Sequence, residues 1–223
     1  MRKFWGFYDN GKYRVGCSGQ SIYVYNQEDV ELARFQDMEY AYCGAFVPGT
    51  NVFVAKSTYP KMAVYDLDRL ELVKKFRSGR AAAQDEGFAF TPDGAAFYNI
   101  ESFRKLQTRL VIYDSMDFSV KEVLFSDRPK LFLQHIEFDA ATGDCYLLGY
   151  TRADSMVYDY GFIARLIDGD ISDPKRMDKW RYDYVMGCKR CEKMGFTEKT
   201  MLWYIQSDAK PQLISLKDEY ERL

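Results

Sequence analysis

The chain has 223 residues, 47% of them hydrophobic and 17% aromatic, and a formal net charge of −2. This is enough apolar material for a buried core in one large all-β domain. The near balance of 31 basic and 33 acidic residues, with no basic stripe, argues against a nucleic-acid partner. No apolar run reaches the length of a membrane span and the N-terminus turns polar too early for a signal peptide, so we expect no membrane association.

Five phenylalanines each precede a short polar turn and a strand-like run. They are Phe7, Phe46, Phe90, Phe138 and Phe196, spaced 39, 44, 48 and 58 residues apart. A repeat of about 40–50 residues is typical of radial all-β folds built from four-stranded units. We predict one domain, residues 1–223, with units at approximately 1–37, 38–83, 84–129, 130–181 and 182–223.

The second unit illustrates the predicted elements. A turn at Pro48-Gly49 separates two strands, because proline presets one backbone angle and glycine accepts a positive one. The outer strand is expected to alternate between the two faces of the sheet. The four predicted strands are Tyr40–Phe46, Asn51–Ala55, Met62–Asp66 and Glu71–Phe76.

The third and outer strands have counterparts in neighbouring units. The third strand recurs at Tyr23–Asn26 and Val111–Asp114, and the outer strand at Glu31–Phe35 and Val120–Phe125. Each third strand ends in Asn or Asp, whose side chain can bond the backbone two residues on and begin the next turn. We therefore expect Asn26, Asp66 and Asp114 to have a structural role.

The fourth and fifth units are less regular. In the fourth, the third strand is predicted at Phe162–Leu166, with Met156–Asp159 as a rival, and Asp173-Pro174 weakens the outer strand. In the fifth, Met201–Ile205 and Gln212–Leu216 are predicted strands, and only Glu219–Leu223 remains for an outer strand. We expect almost no helix, at most a turn at the C-terminus.

The pattern resembles the β-propellers of the WD40 and YVTN-like superfamily. The resemblance rests on the Val-Tyr-Asp type ends of the third strands and on the Phe-x-Pro-(Asp)-Gly turns at 46–49 and 90–94. A Gly-His pair is missing from the sequence, and tyrosine replaces tryptophan in the dipeptide. The resemblance implies a five-bladed propeller of four-stranded antiparallel blades. We expect the ring to close by packing of the first and fifth blades without a strand clasp; the alternative is an open fragment completed by a second chain.

Propellers generally bind at the loops that join outer to inner strands and second to third strands. Several of these loops carry aromatic residues and arginines, which dominate binding surfaces. The long segment from Arg77 to Gly87 is the first candidate, although ordinary solvated loops are an alternative explanation for every such residue. The candidate partner-binding residues are Tyr59, Arg77, Arg80, Gln84, Phe103, Arg104, Arg128, Arg152, Trp180 and Arg181.

Catalytic chemistry finds little support in the sequence. His135 is the only histidine and is expected to be structural. The single Cys188-x-x-Cys191 pair supplies two zinc ligands where a structural site needs four, and the five cysteines are expected to be reduced thiols in a cytoplasmic protein. A glycosidase needs two carboxyl groups about 5–10 Å apart, one of them with a raised pKa. No spacing singles out a pair among Asp37, Glu39, Asp85, Glu86, Glu137 and Asp183.

The sequence therefore predicts a non-enzymatic interaction platform. We expect no catalytic residues, metal or cofactor, and a protein as the partner. The alternative is a propeller that binds a carbohydrate or another small molecule, with a glycosidase-like hydrolase as its extreme form.

Overall fold

The computed structural model describes Phe4 and residues 6–79, 87–104, 107–152, 158–177, 182–191, 196–205 and 215–223. For residues 103–104, 152, 158–160, 177, 182–191 and 196–205 the description covers the backbone alone. The chain divides into two compact units, Met1–Glu86 with Met186–Thr200, and Gly87–Val185 with Met201–Leu223.

The first unit holds two four-stranded antiparallel sheets in which the strands follow one another in space as they do along the chain. Such meanders need only short connections, because antiparallel neighbours can be joined by tight turns. The first sheet consists of β1 (Gly6–Asp9), β2 (Arg14–Cys17), β3 (Ile22–Tyr25) and β4 (Glu31–Phe35), and the second of β5 (Ala41–Phe46), β6 (Val52–Ser57), β7 (Met62–Asp66) and β8 (Glu71–Phe76).

The second unit repeats this arrangement. Its two four-stranded sheets have the same strand order, and one short helix follows near the C-terminus. The third sheet consists of β9 (Phe88–Phe90), β10 (Ala96–Arg104), β11 (Gln107–Asp114) and β12 (Val120–Leu124). The fourth sheet consists of β13 (Leu131–Phe138), β14 (Cys145–Arg152), β15 (Tyr158–Ile167) and β16 (Asp170–Met177), and the helix is α1 (Leu216–Arg222).

The number of complete sheets differs from the prediction. The sequence predicts five four-stranded sheets, whereas the described residues contain four. In the fifth predicted unit, β17 (Tyr182–Cys191) and β18 (Phe196–Ile205) pair as a two-stranded sheet. Most of the predicted strand Gln212–Leu216 lies outside the described residues, and the predicted outer strand Glu219–Leu223 is wrong because α1 occupies this segment.

Helix α1 forms because its ends satisfy local rules that the alternation pattern does not capture. The Ser215 side chain caps the first turn by accepting a hydrogen bond from the Asp218 backbone N–H at 3.0 Å. Acidic Asp218 and Glu219 in the first turn and basic Arg222 in the last turn complement the helix dipole. These signals favour two helical turns over an edge strand.

Contacts with the fourth sheet hold α1 in place. The Glu137 carboxylate accepts a hydrogen bond from the Leu216 backbone N–H at 2.9 Å, and Lys217 forms a 2.6 Å ion pair with Asp139. Leu216 is itself buried. Burial raises the pKa of Glu137 above its ordinary value. Glu137, one of the carboxylates considered for catalysis, therefore anchors the helix.

Burial increases from the outer strand to the third strand of each sheet. Every residue of β3 is buried, and so is β7 apart from its last residue. The outer strands β4, β8 and β12 are mostly exposed and carry Lys, Glu and Arg. Charged side chains on an edge strand oppose unwanted pairing with another chain. The predicted boundaries of β7 and β8 are confirmed. The buried apolar pattern of β7 and the exposed charged pattern of β8 are easy to tell apart in the sequence.

An irregularity recurs between the third and outer strands. The pairing register shifts next to Tyr25, Tyr65 and Tyr113, and the fourth sheet has a shift between Ile163 and Arg165. All three tyrosines are buried. A bulge at this point increases the twist of the outer strand and re-aims the side chains beside it. The tyrosine of each Val-Tyr-Asx type sequence is thus a core residue.

The structural role predicted for the Asx residues is confirmed. Asp66 Oδ1 accepts hydrogen bonds from the backbone N–H groups of Asp68 and Arg69, both at 3.0 Å. Asn26 Oδ1 accepts one from Val30 at 2.9 Å. Asp114 Oδ1 accepts one from Met116 at 2.8 Å. In the first three sheets, the turn after the third strand is therefore stabilised by the Asn or Asp side chain at the end of that strand or directly after it.

The fourth sheet confirms Phe162–Leu166 as part of its third strand. Of the rival Met156–Asp159, the last two residues also belong to β15 and the first two lie outside the described residues. β15 includes all of the predicted Phe162–Leu166. Its partner β16 passes through Asp173-Pro174, where the register shifts so that Ile163 pairs with Lys175 but Arg165 pairs with Ser172. A proline is tolerated in this way at a bulge on an edge strand. The part of the chain that the structure describes contains no helix with the length and apolar character needed to cross a membrane.

Candidate functional site

A concave pocket of about 530 Å³ lies in the first unit, between connections of its two sheets. One wall comes from the β2–β3 connection, another from the β4–β5 connection, and a third from the β6–β7 connection. This is the same set of loops, outer-to-inner and second-to-third, that the sequence predicts as the binding side. We name it the tyrosine pocket, and its lining residues are Ser18, Gly19, Gln20, Gln36, Met38, Glu39, Tyr40, Tyr42 and Tyr59.

Backbone hydrogen bonds fix the three connections relative to one another. Gly19 N–H donates to the Ala41 carbonyl at 2.9 Å, which ties the first sheet to the second. Thr58 N–H donates to the Tyr40 carbonyl at 3.1 Å, and the Ser57 hydroxyl donates to the Glu39 carbonyl at 2.6 Å. The carbonyl groups of Glu39 and Tyr40 are therefore both held by the end of β6 and the residue that follows it. A site whose walls are positioned in this way needs little ordering when a ligand binds.

The aromatic wall is formed by three tyrosines. The Tyr40 and Tyr59 ring centroids are 4.8 Å apart with the planes at 90°, and the Tyr40 and Tyr42 centroids are 6.3 Å apart. Tyr40 and Tyr59 are each 46% exposed. Tyr40 has φ 56°, in the left-handed region that a bulky side chain rarely adopts. Its backbone is thus turned away from the strand path just before β5 begins.

Polar groups and one apolar residue complete the lining. Met38 is buried, whereas Gln20, Gln36 and Glu39 are exposed. Among the nine described lining residues Glu39 is the only charged side chain. The pocket therefore combines large apolar ring faces with a single negative charge and several neutral hydrogen-bonding groups.

The neighbours of Tyr59 shift its titration. The pKa of the Tyr59 phenol is raised above its ordinary value, first by its electrostatic interaction with Tyr40. Desolvation, a hydrogen bond with Tyr40, and the charge of Glu39 act in the same direction. The Tyr59 phenol is therefore neutral at pH 7.

The structure places the sequence-predicted binding residues in different settings. Tyr59 lines the tyrosine pocket, whereas Arg77 is exposed and does not line it. Arg128 is in the second unit, where it forms a 2.6 Å ion pair with Asp170 and lies 5.4 Å from the centre of the Phe125 ring. Phe103, Arg104 and Arg152 are described by their backbone in β10 and β14, and Arg80, Gln84, Trp180 and Arg181 lie outside the described residues.

Sequence reasoning missed Tyr40 and Tyr42 as site residues because they were assigned to a predicted inner strand. The strand instead begins at Ala41, so Tyr40 lies in the loop before it, whereas Tyr42 belongs to β5 as predicted and still lines the pocket. A signal was present in the loops: Glu39-Tyr40 precedes the inner strand of the second unit, and Tyr59 follows its second strand. In a meander these two connections emerge at the same end of the sheet. Residues at such paired positions can therefore be expected to meet.

A second polar cluster lies within the third sheet. The Glu101 carboxylate accepts hydrogen bonds from Asn99 at 3.0 Å, from Arg109 at 3.0 Å and from Tyr113 at 2.7 Å. Glu101 is 1% exposed. Both carboxylate oxygens are engaged by donors from the same sheet. The arrangement is that of a satisfied buried ion pair, which holds the sheet together.

The structure describes the other residues weighed for catalysis or metal binding only in part. Asp85 and Glu86 lie outside the described residues, and Asp183, Cys188 and Cys191 are described by their backbone in β17. Within the described part of the chain, no three side chains of the His, Cys, Asp and Glu types come together in a way that could hold a metal ion.

The titration of His135 is strongly shifted. Its Nδ1 atom is buried and has no hydrogen-bond partner among the described residues, and burial lowers the pKa of His135 to about 4. The histidine is therefore neutral in the folded chain at neutral pH, while the unfolded chain binds a proton near pH 6.5. A depressed histidine pKa gives stability that is present above pH 6.5 and is lost as the pH falls towards 4.

We expect this residue to lower the free energy of unfolding by about 2–3 kcal/mol between pH 6.5 and pH 4. In His135→Gln this part of the pH dependence should be missing, whatever the absolute stability of the variant. Urea unfolding of both proteins at pH 7.0, 6.0, 5.0 and 4.5 measures the difference. The raised pKa of Glu137 acts in the opposite sense in both proteins and cancels in the comparison. Parallel curves for the two proteins would contradict the prediction.

Comparison with known proteins adds no identification. The chain matches no protein-family model. A search of curated proteins likewise found no match.

Proposed function

We propose that the chain is a non-enzymatic β-propeller of five repeat units that recognises a protein partner. Support for the five-unit ring comes from the repeat spacing, from the four meander sheets with the same strand order and bulge, and from β17–β18 in the fifth repeat. Closed rings of such sheets present their loops as a binding surface. The proposed contact is the tyrosine pocket together with neighbouring loops of the first two sheets.

The observation that carries this proposal is the exposure of Tyr40 and Tyr59 at a concave surface. Large aromatic side chains that are 46% exposed yet positioned by backbone hydrogen bonds bring contact area to an interface at little entropic cost. A hydrolytic role has less support, because the described lining holds one carboxylate and glycoside hydrolysis generally uses two.

The test compares capture by the wild-type chain with capture by pocket variants in extracts of the source cell. We expect one stoichiometric partner whose recovery falls at least about tenfold with Tyr59→Ala, since a central aromatic contact contributes about 2 kcal/mol or more. Val73→Ala is the matched control, because Val73 is 51% exposed on β8 and does not line the pocket. Equal recovery by wild type, Tyr59→Ala and Val73→Ala would overturn the proposal.

A carbohydrate or small-molecule ligand is the second candidate. The pocket lining includes Gln20 and Gln36 as well as three tyrosines, a combination that suits hydroxyl groups and apolar ring faces. A glycan and metabolite thermal-shift screen decides between the two. A hit that disappears in Tyr59→Ala but persists in Val73→Ala would replace the protein partner by that ligand class.

A further inference from the structure

We propose that Asn10 is a site of spontaneous deamidation, which the closed β1–β2 turn blocks and whose products weaken the contact between the first two sheets. Asn10 is followed by Gly11, whereas larger side chains follow the other asparagines of the chain, Asn26, Asn51 and Asn99. A glycine has no side chain to hinder attack by its own backbone nitrogen. The turn itself favours this glycine, because Gly11 has φ 85°.

The β1–β2 turn lies at one end of the first sheet. β1 ends at Asp9 and β2 begins at Arg14, which is its partner in the ladder. Consecutive connections of a meander emerge at opposite ends of the sheet, so the length of β2 separates this turn from the β2–β3 connection that lines the tyrosine pocket. The inference is therefore independent of the proposed function.

The reaction needs only the chain and water. The Gly11 backbone nitrogen attacks Asn10 Cγ, so that a new N–Cγ bond forms, the Cγ–Nδ2 bond breaks, and ammonia leaves with the amide proton. Water then opens the resulting succinimide at either of its carbonyl groups. The products are aspartate and isoaspartate, whose carboxyl group is ionised at neutral pH.

The closed turn withholds the nucleophile. Gly11 N–H donates a hydrogen bond to Asp9 Oδ1 at 2.8 Å. The amide nitrogen must lose its proton to attack, and a negative charge on that nitrogen beside the Asp9 carboxylate is unfavourable. The same carboxylate accepts hydrogen bonds from Arg14 Nε and Gln27 Nε2, both at 3.0 Å. These two side chains keep Asp9 in place against the Gly11 N–H.

The Asn10 side chain is held at both of its polar atoms. Its Oδ1 accepts hydrogen bonds from the backbone N–H groups of Lys12 at 3.1 Å and Tyr13 at 2.8 Å. Its Nδ2 donates to the Thr50 carbonyl at 3.2 Å and to Asn51 Oδ1 at 3.0 Å, in the connection between β5 and β6. Ring closure needs freedom to align Cγ with the attacking nitrogen, and these bonds restrict that freedom.

The products lose the contact between the two sheets. A carboxylate at position 10 has no N–H to donate, and it places a negative charge beside the Thr50 carbonyl and Asn51 Oδ1, which are acceptors. Asn51 Nδ2 is already engaged, since it donates to Asp68 Oδ2 at 3.0 Å. Isoaspartate also adds a methylene group to the main chain, which changes the spacing on which the turn depends.

The experiment compares the full chain with a capped peptide of its own sequence, Phe7–Val15. Both are incubated at pH 7.4 and 37 °C, and deamidation of Asn10 is followed by mass spectrometry of fragments generated at pH 5. Because modification follows the population of the open turn, we expect the full chain to react at least about tenfold more slowly than the peptide. Equal rates, or a peptide that does not react, would overturn the proposal.

Variants assign the block to the turn. Asp9→Ala removes the acceptor of the Gly11 N–H, so the full-length variant should deamidate at least about fivefold faster than wild type, relative to the matching peptides. Asn51→Ala removes an acceptor of Asn10 Nδ2 and should act in the same direction. Glu28→Ala is the matched control, because Glu28 is an exposed carboxylate in the β3–β4 turn at the same end of the sheet.

The outcomes of these variants are decisive once urea unfolding has established which of them fold. Unchanged deamidation in every folded variant would contradict a block by the turn. Acceleration in Glu28→Ala equal to that in Asp9→Ala would contradict it as well, because Glu28 does not accept the Gly11 N–H.

The variant Asn10→Asp tests the effect of the product. It carries the charge of the aspartate product and lacks the Nδ2 donor, so its thermal midpoint at pH 7 should be about 2–4 °C below that of wild type. At pH 3 the new carboxyl group is largely protonated, and the difference should shrink. An unchanged midpoint at pH 7 would contradict the weakened contact between the two sheets.

Discussion

Replacing Glu101 by alanine is expected to lower the free energy of unfolding by about 3–5 kcal/mol. Glu101 is 1% exposed and accepts hydrogen bonds from Asn99, Arg109 and Tyr113. Its removal takes a counter-charge away from the partly buried Arg109 guanidinium, and it takes an acceptor away from the Asn99 N–H and Tyr113 O–H donors. Guanidinium chloride unfolding at pH 7, followed by circular dichroism, measures the loss.

The control is a carboxylate–arginine pair of the same chemistry at the surface. Glu71 lies 3.1 Å from Arg69, with side chains that are 50% and 64% exposed. Solvent screens such a pair, so Glu71→Ala should change the free energy of unfolding by no more than about 1 kcal/mol. A loss in Glu101→Ala no larger than that in Glu71→Ala would contradict a stabilising role for the buried cluster.

Glu101→Gln separates charge from hydrogen bonding. Glutamine keeps one acceptor oxygen for Tyr113 or Asn99 but brings two N–H donors that face the donors of Arg109. We therefore expect the free energy of unfolding of Glu101→Gln to lie between that of Glu101→Ala and that of the wild type. The pKa of the Tyr113 phenol should also change in Glu101→Gln. In the wild type, burial together with the hydrogen bond to Glu101 raises this pKa.

Local sequence signals are sufficient to predict most of the strands. β7 and β8 begin and end where predicted, because an apolar run that ends in Asp66 is followed by an alternating charged strand. The turn at Gly49 was equally readable, since its φ of 72° is one that glycine adopts freely. In each case the residues that specify the structure lie within a few positions of it.

Helix α1 was missed although its signal is also local. The Ser215-x-x-Asp218 cap lies at the end of a predicted repeat, and the repeat pattern assigned this segment to a strand. The long-range contacts of Leu216 with Glu137 and of Lys217 with Asp139 then favour the helix further. The local capping signal and these contacts therefore outweigh the repeat pattern in this segment.

The candidate site was predictable only in part, because its geometry depends on contacts between distant residues. Tyr59 was recognised from its place in a second-to-third strand loop. The place of Tyr40 in an outer-to-inner strand loop gives a comparable signal. Its φ of 56°, however, does not follow from the local sequence, since the neighbouring Glu39 carbonyl is bound by Ser57, 18 residues along the chain. Likewise Glu101 occupies the middle of a strand, and its sequence neighbours give no sign that it is buried.

At Gly44 on β5, the addition of a single methyl group should lower the stability of the fold substantially. A Cβ atom at Gly44 would lie 2.6 Å from Phe53 Cε1 and 2.8 Å from the Val54 carbonyl oxygen. Phe53 is 0% exposed and packs against Tyr8 and Phe46 at centroid distances of 5.5 Å and 5.2 Å. The Gly44 N–H also donates to the Tyr8 hydroxyl at 3.0 Å. The ring has no room to withdraw from an added methyl group.

We therefore expect Gly44→Ala to lower the free energy of unfolding by about 2–3 kcal/mol, through overpacking of the core of the first unit. The matched test is a double-mutant cycle with Phe53→Leu, which shortens the side chain that the new methyl group meets. Because the two sites are in contact, the double variant should be about 1–2 kcal/mol more stable than the sum of the single losses predicts. Urea unfolding at pH 7 gives all four values. Simple additivity would show that the alanine methyl group is accommodated without displacing the Phe53 ring, and that the close approach of β5 to β6 at Gly44 does not require a glycine.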